Sequence, residues 1–94
     1  MDNQHRKIAG YRELSQADID LMNRIKAHEA AGLALLRAVQ DRLADQTMNA
    51  VNGSQTEMDR LANAEPGRWA SIAKTELQQG YMALVRAVAQ PATP

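Results

Sequence analysis

Between residues 19 and 43 the chain steps by three and four through Ile19, Met22, Lys26, Glu29, Leu33, Leu36, Gln40 and Leu43. This is the spacing of one helix face, close to a heptad seam. A helix of about 30 residues is about 45 Å long at 1.5 Å per residue. The rest of a 94-residue chain cannot cover such a rod inside a compact globule. Lys26, Glu29 and Gln40 interrupt the seam, and Ala27, Ala30, Ala31, Gly32 and Ala34 beside it are small enough to let another helix approach closely.

Start and stop signals divide the rest. Ser15 and Asp18 have capping-box spacing, with Leu14 and Ile19 at the staple positions, so the long helix is predicted over 15–46 after an arm at 1–14. Asn52-Gly53-Ser54 is the clearest break, giving a loop at 52–55. A short helix follows over 56–65, which Glu65-Pro66-Gly67 ends, and a last helix spans 68–90 before Pro91. Its stripe, Trp69, Ile72, Ala73, Leu77, Gly80, Leu84 and Val88, again steps by three and four. Trp69 and Tyr81 read as core, and Gly80 as a close helix contact. The expected fold is all-α, a single domain in which the long and C-terminal helices form an antiparallel hairpin.

Composition limits how far that hairpin can stand alone. The hydrophobic fraction is 45%, but 17 of those residues are Ala, with one Trp, two Tyr and no Phe. Ala favours helix and buries little area, and small domains already bury a low share of their surface. The core is therefore expected to be completed by self-association into a compact homo-oligomer.

Several function classes are excluded or weakened. The net charge of +0 does not suit a protein that coats long nucleic acid. Cys is absent, which removes disulfides, zinc-thiolate sites and thiol chemistry and suits a reducing cytoplasm. The N-terminus has no apolar run and reads as no signal peptide, and no window is apolar enough to span a membrane. His5 and His28 have no metal-ligand spacing, and Asp18 and Asp20 lie on different helix faces. No phosphate-loop glycine pattern is present. The chain is expected to be no enzyme, with no metal and no cofactor. A helix-turn-helix regulator is a poor fit, because 68–74 makes a weak recognition helix.

The charge is uneven, with both ends positive and the middle negative. Within the first segment, Tyr11 could stack a base and Lys26 could meet a phosphate, with Asn23 one turn before Lys26 on the same face. Ser15 to Lys26 is about 16 Å of helix, so Tyr11 and Lys26 meet either through an arm that folds back or between subunits. On residue types alone, a packed Tyr11 and a snorkelling Lys26 is the plainer reading.

The runs Gly10-Tyr11-Arg12-Glu13-Leu14-Ser15 and Ile19-Asp20-Leu21-Met22-Asn23-Arg24-Ile25-Lys26 resemble the phage anti-CBASS cyclic-nucleotide sponges and the hairpin domain of anti-Thoeris sponges. The run from Leu77 to Pro91 looks like the second signature of the same family. The resemblance implies a helical homohexamer in the cytoplasm of an infected bacterium. It implies binding of cyclic dinucleotides, including 3′,3′-cyclic GMP-AMP, between subunits and without cleavage. Tyr11 would stack a base and Lys26 would meet a phosphate, with Arg12, Asn23 and His28 as neighbours. A separate cyclic-trinucleotide site would fall at Gly67, Arg68 and Trp69. The alternative is a helical oligomerisation or interaction protein with no small-molecule ligand.

Overall fold

The computed structural model describes residues 12–92. It holds three helices: α1 over Gln16–Val51, α2 over Gln55–Ala64 and α3 over Pro66–Ala89. No strand occurs among the described residues.

The start of α1 is a full capping box. The Ser15 hydroxyl accepts from the Asp18 amide at 3.2 Å, and the Ser15 amide donates to Asp18 Oδ2 at 3.1 Å. Two donors that the helix leaves unpaired at its start are thus satisfied. The far end of α1 lies five residues beyond the predicted 46, at Val51. Residues 47–51 contain no Gly or Pro, so nothing stops the helix before Asn52 and Gly53.

Ser54 caps α2 through the Glu57 amide at 3.3 Å. One residue, Glu65, then both ends α2 and precedes α3. It adopts φ 50° and ψ 51°, the left-handed region that commonly closes a helix. Pro66 follows at the first helical position, where its fixed φ suits a helix and its missing N–H costs nothing. For that reason α3 begins at 66 rather than the predicted 68. Its other end, Gln90, is also left-handed at φ 50° and donates to the Arg86 carbonyl at 2.8 Å.

α3 runs back antiparallel to α1. Near the bend Pro66 and Gly67 lie by Thr47 and Ala50, midway Ala70 and Ala73 lie by Leu36 and Val39, and further on Tyr81 meets His28. At the open end Arg12 reaches Val88. α2 sits at the tip, with Met58 and Leu61 near Thr47 and Val51.

The α1 seam holds in part. Leu36 is buried, Ile19, Met22, Glu29, Leu33 and Leu43 are half-buried, and Lys26 and Gln40 are exposed. The α3 stripe also holds in part: Ile72, Ala73, Leu77 and Val88 are half-buried, whereas Trp69, Gly80 and Leu84 are exposed. The buried residues of α3 are Ala70, Tyr81 and Ala89, whereas Trp69 is 59% exposed and a methyl group added at Gly80 would meet nothing. The face against α1 is thus turned by about one residue from the predicted stripe. The reason lies at Gly32 of α1, whose missing side chain leaves the space that the Tyr81 hydroxyl occupies. That notch docks Tyr81, and the turn it imposes carries Trp69 outward.

The described core is thin. Leu36, Ala50, Ala70, Tyr81 and Ala89 are buried, and three of these five are Ala. A buried Leu contributes about 1.5–3 kcal/mol, whereas ordering the backbone costs about 1–2 kcal/mol per residue. Leu35, Val39, Met48, Val51, Met82 and Leu84 remain exposed.

Candidate functional site

The two predicted clusters lie at opposite ends of the hairpin. From Lys26 to Thr47, beside which Gly67 packs, α1 spans 21 residues, about 32 Å. Tyr11 falls outside the described residues. The remaining members of the first cluster are not arranged alike.

Asn23 and Lys26 share one exposed face of α1, and neither bonds to a described residue. The Lys26 ammonium there is a solvated cation on a flexible stem, available to an anion. His28 is turned elsewhere. Its Nδ1 lies 2.9 Å from the Tyr81 hydroxyl, and the rings stand 5.7 Å apart at 56°. The same hydroxyl donates to the His28 backbone carbonyl at 3.2 Å. With its one proton given to that carbonyl, the hydroxyl is left to accept from Nδ1–H. The structure therefore ties His28 to the hairpin fold and does not bring it to the face that carries Lys26.

Arg12 is held between segments. Its Nη2 donates to the Val88 carbonyl at 2.7 Å and pairs with Asp18 Oδ2 at 3.0 Å, while Nη1 reaches the Glu13 carbonyl at 3.4 Å. Asp18 is correspondingly perturbed. The Ser15 amide and hydroxyl hold its carboxyl below the usual carboxylate range; desolvation opposes them, and Arg12 adds a smaller lowering.

In the second cluster Gly67, Arg68 and Trp69 form the first turn of α3 and are all exposed. The Arg68 guanidinium lies over the Trp69 ring at 5.4 Å, a cation–π pair, and its Nη1 stands 3.6 Å from Glu65. Glu65 thus stands beside this cation–π pair.

Beside Trp69 an apolar groove of 410 Å³ runs between α1 and α3, lined by Leu35, Leu36, Val39, Ala73 and Leu77 among others. No group of acidic or His side chains among the described residues could hold a metal ion. No described helix is long and apolar enough to cross a membrane.

Sequence reasoning missed two features. One is the Tyr81–His28–Gly32 contact, for which a glycine inside a long helix was the available signal. The other is Asp18 as partner to Arg12, six residues away and hidden by its role in the cap.

A family model described as the Acb2/Tad1 hairpin domain matches residues 4–89. Anti-CBASS protein 2 of Pseudomonas phage JBD67 is 53% identical over 105 aligned residues, which cover 97% of each chain. The match runs through all three helices and both clusters, and the chain belongs to the Acb2/Tad1 hairpin-domain family, the anti-CBASS sponges that its terminal runs resemble.

Proposed function

We propose that this protein binds cyclic dinucleotides, 3′,3′-cyclic GMP-AMP and its relatives, and holds them intact, so that CBASS immunity receives no signal. The observation that carries this reading is the identity of 53%, across nearly the whole of both chains, with a protein named for anti-CBASS action. Sequestration also suits a chain of this size, since it needs affinity and slow release rather than transition-state stabilisation. A nanomolar sponge needs about −12 kcal/mol. Base stacking by Tyr11 and a phosphate contact from Lys26 supply part of it, with Asn23 alongside. In this reading no bond of the ligand is broken.

The site is shared between subunits. Tyr11 precedes Arg12 in sequence, Arg12 is clamped to Asp18, and Lys26 lies eight residues beyond Asp18, about 12 Å along α1. A ligand bridges that gap most readily where a second hairpin comes alongside. The apolar groove beside Trp69 and the thin core give such a second copy a reason to pack, and a homohexamer is the assembly that this reading adopts. The exposed Arg68–Trp69 pair is the place for a cyclic trinucleotide, whose base would stack on the indole face that Arg68 does not cover. The protein acts in the cytoplasm of the infected host.

The test is calorimetric titration with 3′,3′-cyclic GMP-AMP, followed by heat denaturation and chromatography of the released nucleotide. Tight binding with unchanged nucleotide recovered is expected. Lys26→Ala and Tyr11→Ala are expected to weaken binding by about tenfold or more, the scale of one stacked base or charged contact, with helix content unchanged. Altered nucleotide would make the protein an enzyme. No binding at all would leave a helical interaction protein as the better reading.

A further inference from the structure

One nitrogen of one side chain joins α1 and α3 at the open end of the hairpin. Arg12 Nη2 carries two hydrogens and meets Val88 of α3 at 2.7 Å and Asp18 of α1 at 3.0 Å. Both acceptors want a cation. Val88 is the penultimate residue of α3, so its carbonyl has no donor within the helix, and it sits at the negative end of the helix dipole. Asp18 is an ionised carboxylate in the first turn of α1. A guanidinium can serve both from one position, whereas a lysine ammonium on its flexible stem does not hold the same planar geometry. Arg12 Nε is buried without a partner, so the polar hold on the group is through its two terminal nitrogens.

We infer that Arg12 is a positioning residue for the cyclic-nucleotide site: it pins residue 12, the sequence neighbour of the proposed stacking residue Tyr11, between the two helix ends. Consecutive Cα atoms are about 3.8 Å apart across a trans peptide, so pinning one residue restricts where the next can lie. A stacking side chain set on a restrained root loses less freedom on binding than one on a free arm. Arg12 does this without touching the ligand, because its charge is already spent on Asp18 and Val88. Asp18, at the start of α1, becomes part of the site in the same indirect way. The inference rests on the sponge reading above, and it assigns that site its support.

A double-mutant cycle on the full chain tests it, with 3′,3′-cyclic GMP-AMP as the probe. Asp18→Asn keeps an oxygen for the Ser15 amide but removes the charge that holds Arg12. Arg12→Ala and Asp18→Asn are each expected to weaken binding by about tenfold, and the double variant by no more than the worse single, because both break one unit. Leu61→Ala, at the tip of α2, serves as the control. It lowers thermal stability and leaves affinity unchanged, which separates positioning from general loss of fold. If Arg12→Ala loses affinity while Asp18→Asn keeps it, or if the two losses add, Arg12 touches the ligand itself and the inference is overturned. Both results leave the sponge reading intact. If the wild-type protein shows no binding, the sponge reading fails first and takes the positioning role with it.

Discussion

Gly32 shows how a single missing side chain sets the register of the hairpin. The Tyr81 ring is 5% exposed, and its hydroxyl lies where a Gly32 side chain would be. Gly32→Ala is expected to destabilise the fold by up to about 2 kcal/mol, since an overlap of about 1–3 kcal/mol is set against the roughly 1 kcal/mol gained in helix propensity. Tyr81→Phe removes the obstructing oxygen together with its two bonds to His28, so Gly32→Ala should cost little further stability in that background. Chemical denaturation of the four proteins checks this, and simple additivity would sink it. Asp18 makes the second prediction at this scale. Its folded pKa lies below the unfolded value of 3.8, so the carboxylate contributes stability above that pH and loses it as pH falls through the folded value. The melting-temperature difference between wild type and Asp18→Asn should be present at neutral pH and vanish in strong acid.

Among the elements, the joint at Glu65 carries the clearest strain. A side chain there is held at φ 50°, which only glycine adopts without cost. Its pairing with Arg68, at 3.6 Å between exposed groups, offsets little. Glu65→Gly is therefore expected to gain about 0.5–1 kcal/mol, raising the melting temperature by a few degrees in a thermal scan. Much of this level was legible in the sequence, because it depends on local signals. Ser15 with Asp18, the Asn52-Gly53 break and Pro66 are each read from neighbours a few residues away. The orientation of α3 was not legible. Trp69 and Tyr81 are both large, aromatic and compatible with helical spacing, and the choice between them was made by Gly32, which lies 49 residues before Tyr81. Of the candidate site, residue types were readable and partnerships were not. Lys26 stands exposed, while His28 and Arg12 are engaged by α3 residues that no local pattern could point to.

At the scale of the whole molecule, the hairpin is a rod. Its radius of gyration is 19.9 Å, against about 12 Å for a compact chain of this length. The longest dimension, 62 Å, is set mainly by α1, whose 36 residues span about 54 Å. Leu35, 67% exposed, and Trp69 border the groove that a second copy is proposed to cover. Leu35→Lys combined with Trp69→Lys should shift the sedimenting species toward the 10.3 kDa chain and lower the melting temperature. Unchanged mass would show that assembly uses another face. The hairpin shape also orders events in time. Between Gln16 and Ala89 only residues 52, 53, 54 and 65 lie outside helices, so nearly all early structure is local. Contacts between the helices then close progressively larger loops, 53 residues for His28 with Tyr81 and 76 for Arg12 with Val88. Loop closure grows more costly with length, so the chain zips from its tip and the Arg12 clasp closes last. In the native protein the same clasp is the first to open, and amide exchange should be fastest at the end of the rod where the messenger is proposed to bind.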